Sequence, residues 1–293
     1  MTNVNKIAVL GAGLMGSGIA QALAQTIKCD VCMQDITQEF VDKGMMRIKN
    51  NLNRSLEKRE ISPAEVEQVL SRIKPLTDLK EAVSDADLII EAVTEDEEVK
   101  KALIREVDKI AAPKAYIVSN TSSIRISELA LVTKRPEKFA GMHFFNPPQS
   151  MKLVEVIRGS KTSDETIDVI VDIAKMMGKE PVILNKDTAG FIVNRILILA
   201  LNEAASLVEE GVASPEDIDK AIKLGLNWPM GPLALLDYVG EDTALAICEV
   251  LKKELGEKYS PDPLLEKMVK QGLCGRKTGK GFYGWSDDQR KDK

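Results

Sequence analysis

Near the N-terminus an apolar run, Lys6-Ile7-Ala8-Val9-Leu10, leads directly into Gly11-Ala12-Gly13-Leu14-Met15-Gly16, and a helical pattern follows to about Ile27. A buried strand, G-x-G-x-x-G and a helix in this order restrict the fold more than any other stretch of the chain. Gly11 permits a tight turn. Gly13 removes a side chain where phosphates approach the backbone, and Gly16 lets helix and strand pack closely. The helix N-terminus then presents amides and the positive end of a dipole to an anion. A second strand, Val31–Gln34, closes on Asp35. Its carboxylate is placed to accept hydrogen bonds from an adenosine ribose and to repel a 2′-phosphate. Ile36 and Thr37 follow, with no arginine. The cofactor expected here is NAD, not NADP, held by Gly11, Gly13, Leu14, Met15, Gly16 and Asp35.

Further strands read at Leu88–Ile90, Tyr116–Val118, Phe139–Met142, Val154–Ile157 and Pro181–Leu184, mostly separated by helical stretches. That alternation predicts a Rossmann-like, doubly wound and mostly parallel α/β sheet. The interval from Thr37 to Asp87 is too long for a simple crossover. It reads as two helices, about 38–58 and 63–72, turned at Ile61-Ser62-Pro63, with Ser62 as N-cap, Pro63 at N1 and Glu65 at N3. The expectation is a helical hairpin inserted over about 38–73, beside the ligand cleft. After Leu184 the pattern turns helical throughout, beginning with a long apolar helix from about Thr188 to Glu210. A helix without a polar face must be buried on all sides. Residues 1–185 are therefore expected to form the NAD domain. Residues 186–293 are expected to form an all-α substrate and dimerisation domain.

The chain has 293 residues and a formal net charge of −5. That balance gives no general attraction for nucleic acid or an anionic membrane. No apolar stretch is long enough to span a bilayer, and no leader pattern is read. Cys29-Asp30-Val31-Cys32 is formally C-x-x-C, but it lies on a predicted strand with no second ligand pair. It reads as buried thiols, with no metal site and a cytoplasmic setting.

The chain contains one histidine, His143, in Gly141-Met142-His143-Phe144-Phe145-Asn146-Pro147-Pro148. Its ordinary titration range suits a group that takes a proton while hydride leaves carbon. A lone histidine also serves as a satisfied structural residue. Against that, Glu155 is the one charge in the apolar strand Leu153-Val154-Glu155-Val156-Ile157, and a carboxylate buried in a strand needs a partner. Asn120-Thr121-Ser122-Ser123 follows another strand at the end where ligands bind in open parallel sheets. It reads as a helix N-cap cluster, a substrate contact, or both, with Ser123 capping and Ser122 facing substrate. Asn194 lies early in the first helix of the second domain, where its amide serves either a substrate oxygen or a helix contact. Arg47, Arg54 and Lys58 share one face of the hairpin's first helix, while Ile48, Leu52 and Leu56 form another.

Together these segments resemble the L-3-hydroxyacyl-CoA dehydrogenases. The resemblance also takes in Glu91-Ala92-Val93 with Glu95 and Lys100, Asp187–Asn194, and Gly275-Arg276-Lys277-Thr278-Gly279-Lys280-Gly281-Phe282-Tyr283. It implies that His143 is the general base, or the acid in reduction, and that Glu155 orients it. It implies that Ser122 and Asn194 hydrogen-bond the substrate oxygen, with Asn146 supporting the site. Glu95 and Lys100 would lie near the nicotinamide end of the cofactor, with Asn120 beside it. The hairpin would receive coenzyme A, where Arg54 and Lys58 are the candidates, and the helical domain would form a homodimer. The implied activity is NAD-dependent interconversion of a short (S)-3-hydroxyacyl-CoA, such as 3-hydroxybutyryl-CoA, with its 3-oxo partner, in fatty acid or butanoate metabolism. The competing readings are oxidation of a free hydroxy acid and a non-catalytic NAD-binding protein. Phe144-Phe145 and the basic hairpin favour the thioester.

Overall fold

The computed structural model describes residues 4–27 and 29–286. It divides into two compact units after Thr188. In the first, the chain runs β1 (Lys6–Leu10), α1 (Leu14–Thr26), β2 (Asp30–Gln34), α2 (Gln38–Glu57), α3 (Pro63–Arg72), β3 (Ile73–Leu76), α4 (Leu79–Val83) and β4 (Leu88–Glu91). It continues through α5 (Glu97–Ile110), β5 (Tyr116–Ser119), α6 (Ile126–Ala130), β6 (Phe139–Phe144), β7 (Leu153–Ile157), α7 (Asp164–Met176) and β8 (Glu180–Leu184).

These strands form one eight-stranded sheet in the order β3-β2-β1-β4-β5-β6-β7-β8. All pairings are parallel except β6 with β7. The central strands are buried on both faces, so Ile7, Val9, Ile90 and Val118 join residues of α1, α2 and α7 in one core. The chain order reverses between β1 and β4, which places a ligand crevice at the carboxyl ends of these strands.

The hairpin is present, with the Ser62–Glu65 capping box formed. It is not, however, a pure insertion. It feeds β3, an edge strand paired with β2 that the reading of this interval as two helices does not include. Pro75 hides this strand, because proline cannot donate to a ladder. At a sheet edge that loss is tolerated. The hairpin is thus the crossover from β2 to β3. Ile48 and Leu52 are fully buried on it, while Arg54 and Lys58 are exposed.

The second unit contains α8 (Val193–Glu209), α9 (Pro215–Gly225), α10 (Pro232–Val239), α11 (Glu241–Leu255) and α12 (Pro263–Lys270). Among its described residues the only β pairing is two isolated bridges, Gly275 with Lys280 and Lys280 with Gly284. The helix expected from Thr188 starts later, at Val193, because Gly190 and Phe191 take left-handed conformations at φ 70° and 50°. Within the single chain Ile196 on this helix is 65 % exposed. Residues 275–285 are tied to α10 by Asp237, which accepts from the Phe282 and Tyr283 amides and from Trp285 Nε1. No described helix is long and apolar enough to cross a membrane.

Candidate active site

A cavity of about 760 Å³ opens over the carboxyl ends of β1, β2 and β4, lined among others by Gly11, Gly13, Asp35, Lys43, Arg47 and Val93. Its three fingerprint glycines have separate reasons. Gly11 has φ 103°, and a Cβ there would lie 2.5 Å from the Ala92 carbonyl oxygen. At Gly16 a Cβ would lie 1.8 Å from the Gly11 oxygen. Gly13 has φ −68°, which any residue adopts, and a Cβ there would meet nothing within 4 Å. Protein packing therefore accounts for two of the glycines. The third is accounted for by a ligand backbone approaching from outside, as a pyrophosphate does. α1 begins there with no side-chain cap and its N-terminus faces the same space, with Leu14 45 % exposed and Met15 half-buried.

Asp35 closes the far side of this cleft. One of its oxygens accepts from the Ala12 amide at 2.7 Å, and the other from the Ile36 amide at 2.7 Å. A carboxylate has about four acceptor sites, so both oxygens retain capacity for ribose hydroxyls. The residues present therefore fit an NAD-type dinucleotide. Arg47 was grouped with Arg54 and Lys58. Its guanidinium instead donates to the Ala12 carbonyl at 3.3 Å, within the dinucleotide cleft. α2 comes this close because residue 44 is glycine, where a Cβ would lie 2.8 Å from the Ala12 oxygen.

The antiparallel pairing of β6 and β7 sets His143 directly opposite Glu155. Nδ1 lies 2.8 Å from Glu155 Oε2, and the two residues are 5 % and 1 % exposed. A carboxylate only accepts, so Nδ1–H donates to Glu155, and in the neutral imidazole this leaves the lone pair on Nε2. The Phe145 ring lies 4.7 Å from the imidazole, centroid to centroid. Asn120 Oδ1 accepts from the Phe144 amide at 2.9 Å, joining the end of β5 to the end of β6 beside His143. Asn146 follows β6 and is exposed. The turn behind it is held by Lys179, a buried ammonium that donates to the Pro148 and Met151 carbonyls at 2.6 and 2.8 Å. No sequence signal marks this lysine, because its acceptors are backbone atoms.

Glu95 organises the loop after β5. Its Oε1 accepts from Thr121 Oγ1 at 2.6 Å, from the Ser122 and Ser123 amides at 2.8 and 3.0 Å, and from the Ser122 and Ser123 hydroxyls at 3.2 and 2.9 Å. Desolvation pushes its carboxyl up. Lys100 and these donors outweigh that and hold it below the usual carboxylate range. Ser123 is thus taken up by Glu95 and does not cap α6. That helix is instead met by Asp187, whose Oδ2 accepts from the Ser127 amide at 2.7 Å. Lys100 is 1 % exposed.

Asn194 is the second residue of α8, in the second unit. All four cysteines are free and buried, and burial pushes Cys29 and Cys248 up to about 11. They are poor nucleophiles under those conditions. No cluster of three or more His, Cys, Asp or Glu that could hold a metal occurs among the described residues.

Comparison with known proteins agrees with this geometry. Residues 6–188 match the NAD binding domain of 3-hydroxyacyl-CoA dehydrogenase, and residues 190–285 match the C-terminal domain of the same family. A Deinococcus radiodurans protein named as a probable 3-hydroxybutyryl-CoA dehydrogenase is 50 % identical, over 95 % of this chain and 99 % of its own. A 3-hydroxybutyryl-CoA dehydrogenase of Clostridioides difficile is 45 % identical, over 96 % and 99 %. The crystal structure of (S)-3-hydroxybutyryl-CoA dehydrogenase from Ralstonia eutropha superposes with a TM-score of 0.93 at 44 % identity, covering 97 % of this chain and all of that one. A glycine-cradled dinucleotide cleft, a histidine backed by a carboxylate and matches to both domain models have one common reading: this chain is an NAD-dependent oxidoreductase of the 3-hydroxyacyl-CoA dehydrogenase family.

Proposed function

We propose that this enzyme interconverts (S)-3-hydroxybutyryl-CoA and acetoacetyl-CoA, with His143 moving the proton and Glu155 holding it in place. The observation that carries the reading is the buried contact of 2.8 Å between His143 Nδ1 and Glu155 Oε2. Bound NAD supplies the hydride acceptor, and NADH the donor. In oxidation His143 Nε2 takes the substrate's hydroxyl proton as general base. In reduction it returns that proton to the forming hydroxyl. Glu155 keeps the Nδ1 tautomer and stabilises the imidazolium that forms. The Ser122 hydroxyl, set by Glu95, is assigned to the substrate oxygen, together with the Asn194 amide. Asn120 and Asn146 frame the histidine strand. The exposed Arg54 and Lys58 are assigned to the phosphates of coenzyme A. The exposed apolar residues Ile196, Leu224 and Leu226 in the helical unit support a homodimer. Four free thiols fit a reducing cytoplasm. Fatty acid and butanoate metabolism are the settings such a reaction fits.

The test follows NADH consumption with acetoacetyl-CoA and with free acetoacetate, and NAD reduction with a free sugar acid. Turnover confined to the free acids would overturn the thioester reading. No turnover of any of them would overturn the catalytic one.

A further inference from the structure

We propose that Lys179 is a positioning residue, whose buried ammonium pins the turn 145–151 against α1 and so holds Phe145 and Asn146 at the imidazole of His143. The inference rests on the assignment of His143 as the proton carrier. Lys179 lies between α7 and β8 and is 7 % exposed. Burial pushes its ammonium below the usual lysine range, and among the described residues no carboxylate lies within ion-pair distance to offset this. Burying an unpaired charge costs stability. Neutral donors could satisfy two carbonyls without that cost, so a task other than stability is sought for the charge.

The bonds describe that task. The lysine stem is fixed at its root. The Lys179 amide donates to the Ala174 carbonyl at 3.0 Å, after the left-handed turn at Gly178 (φ 68°), and the Glu180 amide donates to the Lys152 carbonyl at 2.8 Å. From this anchor Nζ reaches the Pro148 and Met151 carbonyls at 2.6 and 2.8 Å. Bonds from a charged donor are shorter and roughly twice as strong as neutral ones. Within the turn, the Ser150 and Met151 amides both converge on the Pro147 carbonyl, at 3.0 and 2.9 Å. The turn also meets Gly18 of α1, where a Cβ would lie 2.9 Å from Pro148 Cδ and 2.9 Å from Gln149 Oε1. It is thus held by two contacts, one with Lys179 and one with the helix whose N-terminus faces the dinucleotide cleft.

What the turn carries makes those contacts matter. It leaves β6 after Phe144 and returns as β7 at Leu153, so His143 and Glu155 stand close to its two ends. Its first residue, Phe145, packs its ring 4.7 Å from the imidazole. A displacement of ~1 Å in such a support costs up to ~100-fold in rate, with no contact to substrate removed.

Two variants disturb the turn, one at each contact. Lys179→Met keeps the length of the stem and removes the donors. Gly18→Ala sets a methyl against Pro148. Lys179→Met leaves two carbonyls unsatisfied, so Tm should fall by roughly 5 °C. Each variant should lose at least ~10-fold in kcat for acetoacetyl-CoA, while the NADH Kd read by fluorescence changes less than ~3-fold. The isotope effect on kcat, with NADH deuterated at the transferred hydrogen, should grow as hydride transfer becomes the slow step. The double variant should lose little more in kcat than the worse single one, because both act through one turn. His143 is the only histidine of the chain, so its ring C–H signals in NMR need no assignment. They should shift in each variant as Phe145 moves.

A Lys179→Met protein with lowered Tm but normal kcat, isotope effect and His143 signals reduces the lysine to a structural element and overturns the proposal. So does a large loss of NADH affinity with kcat intact, which would place the effect on the dinucleotide cleft. Losses that multiply in the double variant would give Lys179 and Gly18 separate routes, and they overturn it too. If Lys179→Met does not fold, Lys179→Gln, which keeps a neutral donor, is read in the same way. If the wild type turns over no thioester, the functional reading fails, and the His143 signals alone decide. Unmoved signals in the variants then reject the role of Lys179, and moved signals uphold it.

Discussion

A buried imidazole paired with a carboxylate does two things that substitution can separate. Glu155→Gln keeps the size of the side chain and an acceptor for Nδ1, but it removes the charge that stabilises the imidazolium and allows the opposite tautomer. We expect a fall in kcat of about 10²- to 10⁴-fold with NADH affinity within a factor of ~3, checked by steady-state kinetics and fluorescence titration. The glycines allow a similar division. Gly13→Val places a side chain in open space at an ordinary φ, so Tm should shift by less than ~2 °C while NADH affinity falls at least ~10-fold. Gly16→Val drives a side chain into the Gly11 carbonyl, 1.8 Å from the new Cβ, and should abolish the soluble folded protein. A Gly13→Val protein that binds NADH normally would remove the phosphate from that position. These residues were legible in the sequence because each owes its identity to a local rule. Glu91, Lys179 and Gly44 were not assigned a task. Theirs depend on partners far along the chain, namely Ser119, the carbonyls of 148 and 151, and Ala12.

At the scale of elements, strands buried on both faces and helices with caps announced themselves. β3 did not. Its four residues include Lys74 and Pro75, and its only named pairing is with β2 at the sheet edge. Nothing in its pattern separates it from a loop. The start of α8 was misplaced for a related reason. Phe191 is an apolar residue that extends a helical pattern, yet tertiary packing holds it at φ 50°. The helical hairpin was legible in both its helices, although its role as a crossover was not. Its exposed basic face supports a test at this scale. Arg54→Glu with Lys58→Glu should raise KM for acetoacetyl-CoA by ~10-fold or more and leave NADH affinity unchanged, because Ile48 and Leu52 still anchor the helix. The rise should shrink as salt is added. An unaltered KM at low salt would move the coenzyme A site elsewhere.

For the whole molecule, a buried carboxyl of the helical unit sets a pH dependence of stability. Glu241, at the start of α11, is fully buried, and among the described residues neither of its oxygens meets a donor. Burial, reinforced by the neighbouring Asp237 carboxylate, pushes it from 4.5 up to about 9. Asp237 is the residue that clamps the Phe282 and Tyr283 amides and Trp285 Nε1. Gly281 passes so close that a Cβ would lie 2.3 Å from Asp237 Oδ1 and 2.5 Å from Glu241 Oε1. The clamp therefore works as one carboxylate beside one carboxylic acid. The folded state holds a proton that the unfolded chain releases near pH 4.5. This contribution to stability is thus complete below pH 4.5 and is lost progressively as pH rises towards about 9. Glu241→Gln keeps the shape and gives Asp237 an amide donor at every pH. Its Tm should match the wild type near pH 5 and exceed it by roughly 5 °C at pH 8.5, with the gap widening steadily between. Parallel Tm profiles for the two proteins would mean that Glu241 ionises normally and that residues 281–285 are held without its proton.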